Sequence, residues 1–130
     1  GTCFKNLNLN IHSKQHLYRA SLEGIAFSFI YGMEILINDN FVPKLVRAGN
    51  DNLFQSELFS NTISTVLGRE IEIYNTTGAV GAARAAGLVD GDFEKFGKKV
   101  TKNDHVMSCM PIKNNDPYQK AYHRPFYLSR

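Results

Sequence analysis

The sequence predicts an α/β domain in which helices pack on a sheet. Two short apolar segments, residues 44–49 and 70–74, have the length and composition of strands, and a helical pattern follows each of them. A strand, a helix, a second strand and a second helix in this order form a right-handed crossover, which makes the two strands parallel. We therefore expect βαβα crossover units whose helices cover the sheet.

The first long element is a helix predicted from about His12 to Asn38, where apolar residues recur with a period near 3.6. Ser13 is a suitable N-cap, and the turn-forming residues from Asn38 to Asn40 end the helix. Before it, the first eleven residues alternate like a strand, although three asparagines oppose pairing. That segment would pair best with sequence that the chain does not contain.

A buried strand is predicted next, from Lys44 to Gly49, and it ends in a glycine turn. A second helix follows from about Leu53 to Leu67, with Gly68 placed for a left-handed C-cap. The predicted buried stripe of this helix consists of Phe54, Leu58, Phe59, Thr62, Ile63 and Val66. The segment Glu70–Tyr74 then alternates as the second strand.

Thr77 is expected to cap a helix of small residues from Gly78 to about Leu88, with Gly87 loosening its end. A short helix from Phe93 to Lys98 is predicted after it. The last two predicted elements are an extended segment, His105–Met110, and a closing helix, Pro117–His123.

Composition indicates one domain, or a large piece of one, over residues 1–130, because 130 residues with 43% hydrophobic residues are enough for a real core. The formal net charge is +3. Much of the excess lies in one run that we interpret as a solvated face, formed by Lys95, Lys98, Lys99 and Lys102. Only Phe93 and Phe96 accompany this run, so we expect no nucleic-acid partner.

Cys3 and Cys109 lie far apart without a Cys-x-x-Cys motif, which argues against a disulfide framework and a structural zinc site. This cysteine usage suits a reducing compartment, and we expect a cytoplasmic protein. Glu23, Glu34 and Asp39 interrupt the longest apolar stretch, which we expect to fall short of the roughly 18 residues that span a bilayer. We expect no membrane partner.

Three segments, in their order and separation, carry a family resemblance: His16–Glu23, Arg47–Asn52 and Gly78–Gly87. They resemble the C-terminal, actin-like domain of the FGGY carbohydrate kinases, and within that family most of all the xylulokinases. The positions that satisfy the family's C-terminal signature are His16, Leu17, Ala20, Ser21, Leu22 and Glu23. Thr2 and Asn6 depart from it, because the family usually has a small residue and a glycine there.

This resemblance implies an actin-like, ribonuclease H-like ATPase fold and an enzyme that transfers the terminal phosphoryl group of ATP, with Mg²⁺, to a sugar such as D-xylulose. The family's catalytic Asp, phosphate-binding turn and sugar-binding lobe precede the signature region. We therefore expect a fragment that is inactive alone. Neither Asp51 nor Asp104 is assigned the role of base, so no catalytic residue is named.

The nucleotide-side residues that the resemblance favours are Gly49, Asn50 and Asn52, although the family usually has a run of glycines where only Gly49 remains. A strand-to-helix turn presents backbone N–H groups, and Asn can donate and accept toward adenine or ribose. An ordinary turn is the alternative. Gly78 and Gly81 are expected to allow close approach of helix and sheet near the nucleotide, and pure packing is equally open.

Two further functions are alternatives. Another kinase of the family would act on gluconate, glycerol or ribulose, and a non-enzymatic actin-like module would bind a partner protein through the small-residue helix. The resemblance also implies a homodimer as one oligomeric state.

His12 and His16 have the spacing of two metal ligands, but similar kinases carry both without binding metal through them, so we expect no metal site there. There is no Gly-Lys-Ser/Thr phosphate-binding loop.

Overall fold

A computed structural model describes residues 3–43, 45–87 and 104–124 of the chain. The helices and strands, numbered in chain order, are α1 (Lys14–Asn38), β1 (Val46–Gly49), a 3₁₀ helix (Asn52–Gln55), α2 (Glu57–Leu67), β2 (Ile71–Tyr74), α3 (Gly78–Ala86), β3 (His105–Cys109) and α4 (Asp116–Tyr122). The mixed α/β class predicted from the sequence is confirmed.

The three strands form one sheet in the order β1-β2-β3. β1 and β2 are parallel, with Val46 opposite Ile71 and Gly49 opposite Tyr74. β3 runs antiparallel to β2, and its register shifts between Ile73 and Tyr74. The parallel pair predicted from the crossover order is therefore confirmed, and the carboxyl ends of β1 and β2 lie at the same edge of the sheet.

The core forms where α2 packs against α1, β3 and α4. Its buried apolar residues are Ala26, Ile30, Phe59, Ile63, Ile71, Ile73 and Cys109. Around Tyr122 of α4, the phenol ring contacts Phe27, with ring centroids 5.5 Å apart, and the hydroxyl donates to Glu34 Oε2 at 2.5 Å. Burial, and then this hydrogen bond, raise the pKa of Tyr122 above its ordinary value. Both contacts fix α4 on α1.

The buried face of α2 is more polar than its predicted apolar stripe. Its fully buried polar side chains are Ser60, Thr62, Ser64 and Thr65. The Ser64 hydroxyl lies 2.7 Å from the carbonyl oxygen of Arg69 and 2.9 Å from that of Cys109, and the Thr65 hydroxyl accepts the N–H of Ile112 at 3.3 Å. These side chains can be buried because hydrogen bonds satisfy their polar atoms.

The helix predicted from Leu53 to Leu67 is interrupted at Ser56, which corrects that prediction. A 3₁₀ helix ends at Gln55, and Ser56 then caps α2 by accepting the N–H of Phe59 at 3.4 Å. A side-chain cap makes a new helix start favourable at this position. The C-terminal prediction is confirmed, because Gly68 is the cap of α2 with φ 64°.

The N-terminal segment before α1 does not form the suggested strand within residues 3–13. Asn8 organises a turn instead, because its carbonyl accepts the N–H of His12 at 2.8 Å and its side chain accepts the N–H of Asn10 at 3.0 Å. Asn6 has a left-handed φ of 58°. Asparagine tolerates that conformation and closes local turns, so these residues override the apolar alternation.

α1 is long and apolar enough to cross a membrane by length and composition alone: its most apolar stretch has a mean hydropathy of 1.4 and is 11% buried. The prediction that the chain lacks such a stretch is therefore wrong. Only Glu34 is charged between Glu23 and Asp39, so the acidic residues interrupt the stretch less than expected. Core helices and signal sequences share this composition, and Ala26 and Ile30 of α1 lie in the core.

The remaining predicted elements divide into two groups. The extended segment at 105–110 and the closing helix at 117–123 are confirmed as β3 and α4. The short helix from Phe93 to Lys98 and the four lysines lie outside the described residues. Of the two cysteines, Cys3 is exposed and Cys109 is buried.

Candidate functional site

The carboxyl edge of the parallel strands brings two of the quoted segments together. Gly49, at the end of β1, is opposite Tyr74, at the end of β2, and Thr77 and Gly78 start α3 a few residues later. Ligands of open α/β sheets characteristically bind outside the carboxyl ends of the strands. The turn after β1 and the N-terminus of α3 therefore form the candidate site.

Gly49 is required by a close backbone approach. A Cβ at this position would lie 2.4 Å from the carbonyl oxygen of Thr76, which is shorter than any ordinary contact. The next residue fixes the same approach, because Asn50 N–H donates to the carbonyl of Tyr74 at 2.7 Å. Glycine at this position thus permits the two loops of the edge to lie in contact, whether or not a ligand binds.

Asn50 and Asn52 differ in their surroundings. Asn50 is half-buried, and its carbonyl accepts from Gln55 Nε2 at 3.4 Å. Asn52 is exposed and has a left-handed φ of 48° where the 3₁₀ helix begins. Asparagine adopts that conformation more readily than most residues. The turn thus presents Asn52 to solvent at the edge where a ligand would lie.

α3 begins as the sequence predicts, because the Thr77 hydroxyl accepts the N–H of Val80 at 3.3 Å. The close packing predicted at Gly78 and Gly81 is wrong for the described residues. A Cβ at either glycine would meet no atom within 4 Å, and no residue of α3 is buried. The small residues therefore form an open surface beside the electropositive start of a helix, where backbone and ligand can approach closely.

A polar network lies beneath this edge on β1 and β2. Arg47 Nε lies 3.0 Å from Glu72 Oε2, and the Tyr74 hydroxyl donates to the same oxygen at 2.6 Å. The Tyr74 hydrogen bond, followed by Arg47, holds the pKa of Glu72 below its ordinary value, and the same hydrogen bond raises the pKa of Tyr74. The network links β1 to β2 through side chains that precede the carboxyl end of β1 and reach the end of β2 at Tyr74.

Asp104 connects α3 to the sheet. Its carboxylate forms an ion pair with Arg84, with Oδ2 2.8 Å from Nη1, and its carbonyl accepts the N–H of Asn75 at 2.6 Å. Arg84 is a residue of this edge that sequence reasoning misses, and Asp104 enters that reasoning only as a candidate base. The available signal was that Arg84 is the one charged residue among the small residues of Gly78–Gly87.

His12 and His16 accept hydrogen bonds from the backbone of the segment that leads into α1. Their Nδ1 atoms accept the backbone N–H of Asn8 and of Ser13, each at 3.0 Å. An Nδ1 that accepts such a bond leaves the proton of the neutral ring on Nε2, which then has no lone pair for a metal. Within residues 3–43, 45–87 and 104–124, no group of three or more His, Cys, Asp or Glu side chains is placed to hold a metal ion.

Comparison with known proteins gives a structural likeness. No protein-family model matches the sequence, and no curated protein matches it. Among solved structures, the chain is similar to xylulose kinase from Rhodospirillum rubrum, with a TM-score of 0.71 and 24% sequence identity. The match covers 92% of this chain and 25% of that kinase, so this chain spans about a quarter of the kinase's length. The chain therefore shares the fold of that part of the kinase.

Proposed function

We propose that this chain is the nucleotide-binding part of an ATP-dependent sugar kinase. One observation carries the proposal: in a fold shared with part of a xylulose kinase, the turn after β1 and the open N-terminus of α3 lie at the same carboxyl edge. The N–H groups at a helix start favour phosphate oxygens, and the edge of a sheet is where nucleotides commonly bind.

In this proposal the two segments divide the nucleotide between them. Asn50 and Asn52 contact the adenine or ribose, and Gly49 holds their turn against the next loop. Gly78 and Gly81 let the phosphates approach the backbone of α3. Mg²⁺ would arrive with the phosphates and neutralise part of their charge, and it commonly keeps several water ligands when bound in this way.

The sugar is proposed to be D-xylulose, with gluconate, glycerol and ribulose as alternatives. None of the described residues is assigned to the sugar or to catalysis, and the chain alone is not expected to transfer phosphoryl groups. We propose a cytoplasmic location for the kinase. A coupled assay of ADP formation with these four acceptors, on the whole protein that carries this chain, distinguishes them by their kcat/KM values.

Titration of the chain with Mg-ADP, followed through its amide resonances, tests the nucleotide site. We expect saturable shifts at Gly49, Asn50, Asn52, Gly78 and Gly81, and little change along α1. Inorganic phosphate with Mg²⁺ is the control for simple anion binding and should reproduce at most the shifts at the start of α3. The absence of saturable shifts at millimolar Mg-ADP would contradict the proposal.

Two glycine variants make this test sharper, because neither new methyl group would meet another atom within 4 Å. Gly81→Ala in α3 and Gly32→Ala in α1 should each stabilise their helix by up to about 1 kcal/mol. Only Gly81→Ala should weaken Mg-ADP binding, since its methyl group lies where we place the phosphates. Equal affinity in both variants would remove Gly81 from the site.

A non-enzymatic interaction module is the second candidate, and the exposed apolar side chains of α1 favour it. Ile25, Phe29 and Leu36 are between 42% and 48% exposed, and contiguous apolar surface commonly marks an interaction site. This candidate predicts no protection of the chain from heating by Mg-ATP and concentration-dependent association in sedimentation experiments. The kinase proposal predicts thermal protection that increases with Mg-ATP concentration.

A further inference from the structure

We propose that the ion pair between Arg84 and Asp104 positions α3, so that the N-terminus of this helix faces the nucleotide. The inference rests on the proposed function, since the pair has this role only if a nucleotide binds at the carboxyl edge. Arg84 and Asp104 are positioning residues in this view. Neither is placed in contact with the ligand.

Packing within the described chain does not fix the orientation of α3. No residue of the helix is buried, and Cβ atoms at Gly78 and Gly81 would meet nothing within 4 Å. By contrast, six residues of α2 are buried. With so little burial against the described residues, α3 can change its angle to the sheet at the loop that joins it to β2, unless another contact holds it.

The ion pair is that contact. Arg84 lies in the last turn of α3, and its Nη1 is 2.8 Å from Asp104 Oδ2. Asp104 is itself held at the sheet, because its carbonyl accepts the N–H of Asn75, the residue directly after β2, at 2.6 Å. Apart from the Thr77 cap at its start, this pair is the one side-chain hydrogen bond between α3 and the other described residues. The helix is therefore tied to β2 covalently at its start and by charge near its end.

The strength of the pair suits an orienting role. The side chains of Arg84 and Asp104 are 38% and 24% exposed, and exposed pairs typically contribute at most about 1 kcal/mol to stability. Its loss should leave the core folded. Because the nucleotide contacts α3 at the end opposite Arg84, a pivot of the helix displaces its N–H groups from the phosphates, and we expect about three- to fivefold weaker Mg-ADP binding.

The experiment measures two properties of the chain in Arg84→Gln and Asp104→Asn. Residual dipolar couplings of the α3 amides report the orientation of the helix relative to the sheet without ligand, and titration gives the Mg-ADP affinity. Glu23→Gln is the matched control, because it removes another partly exposed ion pair, Arg19–Glu23 at 2.7 Å within α1, and leaves the hydrogen bond from Arg19 to Tyr118 in place. The control should change neither the α3 couplings nor the affinity.

Charge reversal supplies the readout that a general loss of stability would not give. The double variant Arg84→Glu with Asp104→Lys should restore both the α3 couplings and the affinity, whereas each single reversal should lose both. Unchanged couplings in Arg84→Gln and Asp104→Asn would overturn the inference, and so would changed couplings with unchanged affinity. If the wild-type chain does not bind Mg-ADP, the proposed function fails, and the couplings still decide whether the pair orients the helix.

Discussion

α2 and α3 are both short helices, yet different interactions hold them in place. α2 has six buried residues, and hydrogen bonds satisfy the hydroxyls among them. α3 has none, and a threonine cap and an ion pair hold it. Helix formation follows local sequence in both cases, whereas attachment to the fold depends on what each helix can bury.

The same difference separates stability from function in this molecule. Most of the unfolding free energy of the described chain should come from α2 and its neighbours, because it scales with buried apolar surface. α3 should open locally at lower cost, as segments that bind ligands often do.

The largest effect is expected for Ile63→Ala in α2. Ile63 is fully buried, and removing its side chain leaves a cavity, which typically lowers the free energy of unfolding by about 3 kcal/mol. Val80→Ala in α3 is the matched control, because Val80 is 40% exposed, and its loss should change that free energy by less than about 0.5 kcal/mol. Urea denaturation followed by circular dichroism measures both. Equal effects would show that α3 is packed as firmly as α2.

Gly49→Ala should have the next largest effect. It should lower the free energy of unfolding by about 1 to 3 kcal/mol, the usual cost of overpacking. The added methyl group would lie 2.4 Å from the Thr76 carbonyl oxygen, so the two loops of the candidate site must separate. Gly24→Ala in α1 is the control, since a methyl group there meets nothing within 4 Å. Urea denaturation measures both variants in parallel. Equal stability would contradict the close approach of Gly49 to the Thr76 carbonyl oxygen.

A smaller pair of effects separates a core hydroxyl from a capping hydroxyl. Ser64→Ala removes the donor to the carbonyls of Arg69 and Cys109 and should lower the unfolding free energy by about 1 to 2 kcal/mol. Thr77→Ala removes the cap of α3, worth about 1 kcal/mol. Its effect should stay local. Hydrogen exchange should speed up throughout the core in the first variant and only along α3 in the second, and global exchange in Thr77→Ala would contradict this.

The smallest effect concerns the pH dependence of the unfolding free energy, through the network of Arg47, Glu72 and Tyr74. The pKa of Glu72 is lowered in the folded chain from its ordinary value of 4.5, so its ionised form contributes stability above that pH. This contribution is lost as the pH falls through the lowered folded pKa. Glu72→Gln should therefore reduce the acid dependence of the unfolding free energy below about pH 4.5. Identical pH profiles for the variant and the wild type would exclude this role.

The sequence predicts the elements of this fold better than their contacts. Apolar periodicity located α1, and the crossover order gave the parallel strands, because both depend on local pattern and chain handedness. Periodicity could not show that Ser60 and Ser64 are buried, since the carbonyls that accept from them lie outside α2, and that of Cys109 belongs to a distant strand. The break at Ser56 was missed because a capping serine and a surface serine look the same in the chain.

The candidate site divides in the same way. The sequence placed Gly49 and the start of α3 near one another, because the carboxyl ends of parallel strands share an edge. It could not show that Gly49 faces a backbone carbonyl while Gly78 and Gly81 face open space, since all three are glycines in turns or helix starts. The nucleotide roles of Asn50 and Asn52 remain predictions.

The different exposure of the two cysteines allows local opening of the core to be measured by thiol labelling. Burial, followed by the nearby charge of Glu57, raises the pKa of the Cys109 thiol, and the side chain lies in the core at the end of β3. A thiol reagent should therefore modify the exposed Cys3 at once and Cys109 only when the third strand detaches. In a Cys3→Ser variant, the rate of thiol labelling would count those detachments directly, without denaturant and without an added probe.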